Sequence, residues 1–208
     1  MDVYTVNMAT MKSKYHHGDL EEALLAAGMR EAKNTGTRNL GVNSLAKEVK
    51  VSPMAVYRHF SNGESLRAGI SQQAREEMAK RMIKAVALQT GVKQRFHAVG
   101  RTYIEFALSE PGLFAVAFVA CDEGPKREDS PSVWLVFQDS ILDLCNAGLI
   151  ETSEVEQVGA FAWASVHGFA TLAGGNDPKR PTASKKLIDD LLDRIWVGIV
   201  QAREGLTN

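Results

Sequence analysis

Cysteine is scarce in this 208-residue chain: Cys121 and Cys145 are its two, and no group of histidines accompanies either. That excludes a disulfide scaffold, argues against a cysteine-based zinc site and points to a reducing compartment. Both thiols read as core filler. Proline is sparse too, with six at Pro53, Pro111, Pro125, Pro131, Pro178 and Pro181, and the long proline-free stretches between them suit helices. Sustained period-two alternation is missing, so strands are not expected. Neither sign of charge dominates, with 24 basic and 25 acidic side chains for a net charge of −1. A chain that is 45% hydrophobic and 24% charged is neither disordered nor fibrous, and its length is enough to bury a core.

Long hydrophobic runs are also lacking. The longest uncharged window, 157–176, has the length of a membrane span. It is interrupted by Gln157, Ser165, His167, Thr171 and Asn176 and by Gly159, Gly168, Gly174 and Gly175, so a helix buried on several sides is expected and no membrane association. The first fourteen residues mix Asp2, Asn7 and Lys12 with scattered apolar residues and do not form a secretion signal; Met8 and Met11 are alternative starts. The expectation is a cytoplasmic protein. No G-x-S-x-G elbow, phosphate-binding glycine loop, dinucleotide fingerprint or H-E-x-x-H helix occurs. Adjacent His16 and His17 splay apart and lack a partner at ligand spacing. An enzyme, a metal and a cofactor are therefore not expected.

What is present is helical periodicity. A first helix is expected from Asp19, its carboxylate capping and Glu22 completing a capping box, with Leu20, Ala23, Leu24 and Ala27 on one face. Val42, Leu45, Ala46 and Val49 stand at i, i+3, i+4 and i+7 in a second. Ser52 caps a third, with Pro53 in its first turn, where a missing N–H costs nothing, and Val56 and Phe60 pointing inward. A long fourth helix runs from Glu64 to about Leu88. Helices are further expected over 92–108, 113–119, 133–147, 154–173 and 184–203, with loops at 122–131 and 174–182. The fold class is all-α. Charge divides unevenly along it: +2 over 1–62, +3 over 63–119 and −6 over 120–208, which is compatible with an anionic partner for the N-terminal half.

Two short helices joined by a tight turn form the layout of a helix-turn-helix. The helix from Val42 braces the next through Leu45, Ala46, Val49, Val51 and Val56, leaving the segment from Ser52 to Phe60 free to enter a major groove. Its outer face offers Pro53, Met54, Ala55, Tyr57, Arg58 and His59. Arg58 can read a guanine edge or hold a phosphate, Met54 and Ala55 can pack on thymine methyls, and Tyr57 and His59 suit phosphate oxygens. Ordinary helix surface or local packing is the competing account of Tyr57 and His59. Lys12, Lys14, His16 and His17 form either a basic arm on DNA or a solvated tail.

The segments YHHGDLEEALLAAG and LAKEVKVSPMAVYRHF, followed by ESL, resemble the N-terminal domain of the TetR/AcrR family of bacterial transcriptional regulators. AWASVHGFATL, with Trp163, His167 and Gly168, and RFHAVGRTYIEFALSEPGLFAVAF resemble a subset bearing a Trp-His-Gly signature in its C-terminal domain. The resemblance implies a homodimeric repressor with a flexible arm over 1–14, a DNA-binding domain over 15–62 and an effector-binding, dimerising domain over 63–208. It adds Asn43 to the DNA contacts. Three positions depart from the family pattern: Lys50 stands where the turn usually has glycine, Gly63 where a phosphate-binding lysine is usual, and Gly41 where threonine is frequent.

The resemblance also implies an apolar pocket, for which Phe96, Tyr103, Phe106, Phe114, Phe118, Trp134, Phe137, Gln138, Trp163 and His167 are the candidates, with Tyr103, Gln138 or His167 as polar anchors. Each aromatic taken alone also reads as core, and His167 reads equally as packing near a dimer interface. Leu191, Leu192, Ile195, Trp196 and Ile199 line one side of the last helix. With Trp163, His167 and the small residues of 160–173, they suggest that the last two helices, doubled by symmetry, form a four-helix interface. The partners expected are double-stranded operator DNA, a largely apolar small-molecule effector and a second copy. A helical dimer that binds a ligand without operator DNA is the alternative.

Overall fold

Apolar residues spaced three and four apart place one stripe of a helix against its neighbours, and that spacing sets the architecture here. The computed structural model describes residues 17–118, 130–174 and 183–206. Among them lie nine α-helices, one short 3-10 turn (Thr152–Glu154) and no strand. The arm over 1–14, Cys121, most of the charged loop and the 175–182 loop fall outside the described residues.

Helix α1 (His17–Thr35) starts two residues before Asp19, which lies inside its first turn and is not the cap expected of it. It buries Leu20, Leu24, Leu25, Ala27 and Ala32 against α2 (Val42–Glu48) and α4 (Gly63–Ala87). Between those two lies α3 (Pro53–Val56). Asn62 Oδ1 accepts the Ser65 N–H at 2.7 Å and Ser65 Oγ accepts the Asn62 N–H at 3.2 Å, so a reciprocal capping box opens α4.

Helix α5 (Val92–Ser109) is the hub of the larger part, packed against α4, α6 (Pro111–Ala117), α7 (Val133–Asn146), α8 (Val155–Gly174) and α9 (Lys185–Leu206). Pro111 and Gly112, expected to separate two helices, instead form the first turn of α6, where the proline ring is tolerated. Side-chain bridges tie the hub to its neighbours: Arg95 Nε donates to Asp143 Oδ2 of α7 at 2.7 Å, Lys93 lies 2.7 Å from Asp193 of α9, and Arg101 pairs with Asp189.

Helix α8 is not wrapped on all sides. Ala162, Val166, Ala170 and Ala173 are buried, whereas Gln157, Ala160, Phe161, Ala164, Thr171 and Leu172 are exposed on this single chain. The uncharged stretch from residue 157 onward is therefore not accounted for by the chain's own core. None of the described helices is long and apolar enough to cross a membrane.

Candidate DNA interface and aromatic core

Helix α2 ends in a tight reversal. The Val51 N–H reaches the Ala46 carbonyl at 2.9 Å and the Lys50 N–H reaches that of Lys47 at 3.2 Å, with Lys50 at φ 59°. This is the 6→1 and 5→2 pairing of a Schellman stop. The left-handed residue it demands is usually glycine; here a lysine adopts it, at about 1–2 kcal/mol of local cost. The reversal delivers Ser52, whose Oγ accepts the Ala55 N–H at 3.3 Å and starts α3.

The α-helix then lasts only one turn. Beyond Val56 the backbone continues through tight i→i+3 and i→i+4 bonds, His59 N–H to Val56 O and Phe60 N–H to Val56 O, both at 3.0 Å. The recognition segment is a helical turn extended by turns and not the continuous helix to Phe60 that the sequence suggested. Val56 and Phe60 are buried and anchor it, as expected. Met54 is 70% and Tyr57 49% exposed, and Asn43, Pro53 and Arg58 are also exposed. Ala55 packs partly against the core and His59 is half-buried, so these two contribute less open surface than the spacing implied. An exposed bridge from Arg30 to Glu48, 2.9 Å, joins α1 to α2.

The second group of expected residues converges inside the larger part. The buried Tyr103 hydroxyl meets His167 Nδ1 at 2.7 Å. Burial raises the phenol's pKa far above its usual 10 and lowers that of His167 below 6.5. Burial thus favours a neutral phenol beside a neutral imidazole, and the direction of the hydrogen bond between them follows the imidazole tautomer. Trp163 stacks on His167 with planes 5° apart and centroids at 5.6 Å. Phe118 and Phe114 close in at 5.1 and 5.9 Å, and Phe137 and Trp134 flank Trp163 at 5.4 and 5.8 Å.

Beside this cluster lies a cavity of about 20 Å³ bounded by Phe96, Tyr103, Phe137 and Trp163, room for a body the size of a water molecule. Met82, Val99, Gly100, Ser140, Ala162, Val166 and Leu192 complete its wall. Their legible signal was the i+3, i+4 and i+7 spacing of Val99, Gly100 and Tyr103 from Phe96. A groove of about 300 Å³ adjoins the cluster, lined by Gln72, Arg75, Phe118, Trp134 and Trp163 among others. Two pocket candidates lie elsewhere. Phe106 turns the other way, its ring 5.0 Å from the Arg81 guanidinium, and Gln138 is exposed on α7 and lines neither space.

The interface candidates divide differently from the expectation. Leu192, Ile195 and Ile199 are buried within their own chain, and Trp196 packs on Phe96 and His97 at 5.9 and 6.2 Å. Leu191 is half-buried against the same core, and Trp163 and His167 belong to the aromatic cluster. The large apolar side chains that α8 and α9 leave exposed are Phe161 and Leu172 on α8 and Leu187 and Val197 on α9.

The two parts are joined at α6. A Cβ on Gly112 would fall 2.0 Å from the Ala32 carbonyl oxygen, so α6 abuts the end of α1. Glu110, just before it, meets Arg81 at 3.1 Å and Lys33 of α1 at 3.6 Å. Burial lowers the Arg81 pKa, but the hydrogen bonds that Arg81 donates to the Glu110 and Glu77 carboxylates, with their negative charge, outweigh it and raise the pKa.

Known proteins resemble this chain in sequence and in fold. The sequence matches the family described as "Bacterial regulatory proteins, tetR family" over residues 24–70 and "Tetracyclin repressor-like, C-terminal domain" over 96–195. Nucleoid occlusion factor SlmA of Haemophilus influenzae is 28% identical over 81 residues, which is 39% of this chain and 37% of that relative's length. A Rhodococcus sp. RHA1 protein of unknown function superposes with a TM-score of 0.69 at 25% identity, covering 91% of this chain and 100% of the other. BioQ, solved with its natural double-stranded DNA operator, gives 0.60 at 17% identity over 86% and 97% of the two chains, a likeness of fold. With both domains matched in one polypeptide, the chain belongs to the TetR family of transcriptional regulators, a DNA-binding and non-enzymatic class.

Proposed function

We propose that the chain is a homodimeric repressor. Its Pro53–His59 segment enters the major groove of operator DNA, and a small, largely apolar molecule acting at the aromatic core weakens that grip. The observation that carries the reading is the outward display of Met54, Tyr57 and Arg58 on a turn held by buried Val56 and Phe60. A flexible loop would lose binding energy to ordering; this segment is already fixed.

Pairing of two copies through α8 and α9 accounts for Phe161, Leu172, Leu187 and Val197, large apolar side chains left exposed in one subunit. Two recognition segments then stand about 34–36 Å apart, one turn of DNA. For release, α6 is the connecting part: Phe114 lies in the aromatic cluster and Gly112 lies against α1. A ligand that binds more tightly when α6 is displaced favours the arrangement with the wrong spacing.

The closed state of the core favours a second reading. The enclosed cavity of about 20 Å³ is far below the roughly 300–1,000 Å³ of ordinary ligand sites, and the adjoining groove of about 300 Å³ stands only at the lower edge of that range, which suits a regulator acting without an effector. Operator affinity of the wild type against the Tyr57→Ala/His59→Ala double variant tests the DNA reading, and unchanged binding refutes it. The remaining alternative, a ligand-binding dimer without operator binding, predicts no gel shift at any salt concentration.

A further inference from the structure

We propose that Arg67 is a DNA-phosphate ligand that reaches the duplex backbone through the gap left by Gly63. The inference rests on the operator-binding reading above and adds a contact to it. Arg67 stands one turn after Gly63 on α4, and its Nη1 lies 3.9 Å from the point that a Cβ at residue 63 would occupy. The Val42 Cγ2 atom is 3.6 Å from that same point. The guanidinium therefore folds back over the start of α4 toward the start of α2. Both neighbours lead onto the recognition surface: exposed Asn43 follows Val42, and the segment 57–62 runs directly into Gly63.

Charge bookkeeping points the same way. Arg30, Arg81, Arg95 and Arg101 each face a carboxylate. Arg67, half-buried, makes no ion pair or hydrogen bond with the described residues. A guanidinium stays charged at any physiological pH, so among the described residues nothing balances it. Its fork of N–H donors matches the oxygens of a phosphate, and a duplex docked on Asn43 and Tyr57 carries its backbone past this position. Glycine at 63 is what keeps the route clear, since a long side chain there would occupy the same space.

The test uses the full chain with two duplexes of equal length, one selected by the wild type from a random library and one of mixed sequence. Affinity is measured between about 50 and 200 mM salt. Arg67→Gln is expected to weaken binding to both duplexes alike, roughly tenfold, and to make the slope of log K against log salt shallower by about 0.9. Arg67→Met, which keeps the apolar stem, gives the same loss. Gly63→Lys in the Arg67→Gln background returns the slope, because a Cβ at 63 meets only ordinary contacts and the new charge arrives at the same place. A wild-type slope in both Arg67 variants, or a loss confined to the selected duplex, overturns the proposal. Failure of the wild type itself to bind either duplex overturns the operator reading instead.

Discussion

The Tyr103 hydroxyl and the His167 imidazole form a single 2.7 Å hydrogen bond in surroundings made almost wholly of aromatic rings. It joins α5 to α8 by a directional contact where every other contact in the cluster is a ring packing. Tyr103→Phe leaves the ring and removes the hydroxyl, so His167 Nδ1 loses its 2.7 Å partner. Stability is expected to fall by about 1–3 kcal/mol, read from the midpoint of urea unfolding. An unchanged midpoint means that the bond contributes nothing net.

The same pair, with His97 on α5, gives a pH dependence. Burial is the leading cause of the lowered pKa of both histidines; around His97, Asp193 and Asp189 pull up while Lys93 and Arg101 push down. A histidine depressed in the folded chain binds fewer protons than in the unfolded one, so its stability contribution is complete above 6.5 and is lost as pH falls through the folded value. Unfolding midpoints are expected to drop between about pH 7.5 and pH 5.5. His167→Phe should make that drop shallower, and equal drops in both proteins would contradict the assignment.

Gly112 allows no side chain. Its Cβ would strike the backbone oxygen of Ala32, which cannot rotate aside. Gly112→Ala is expected to cost about 1–3 kcal/mol through overpacking and to push α6 away from α1. Thermal melting checks the first effect. Weakened affinity for a selected duplex at a temperature where the variant remains folded checks the second.

Lys50 offers the opposite experiment. Its φ of 59° suits glycine, and Lys50→Gly should gain about 1 kcal/mol of stability despite losing a side chain. A destabilised variant would show that the lysine stem packs in a way that outweighs the backbone cost.

The pairing proposed for α8 and α9 predicts that Phe161→Glu yields a monomer in analytical ultracentrifugation at concentrations where the wild type is a dimer. A charge placed on that face gains no partner and must be desolvated. Identical sedimentation of the two proteins would place the interface elsewhere.

Local sequence determined the number of helices in the described parts, the capped start at Ser52, the burial of Val56 and Phe60, and the outward set around Tyr57. Each follows from spacing and side-chain chemistry within a few residues of itself. Asp19 and Pro111 misled because capping and proline signals mark a helix start to within a turn, and neighbouring packing chooses the residue. The one-turn length of α3, the inward turn of Phe106 toward Arg81 and the divorce of Gln138 from the aromatic cluster belong to tertiary structure alone. So do the closed core around Tyr103 and His167 and the placement of the Arg67 guanidinium beside Gly63. Periodicity says that a side chain leaves the solvent-facing stripe; which neighbour it then meets depends on helix crossings between residues tens of positions apart, and no local pattern encodes those.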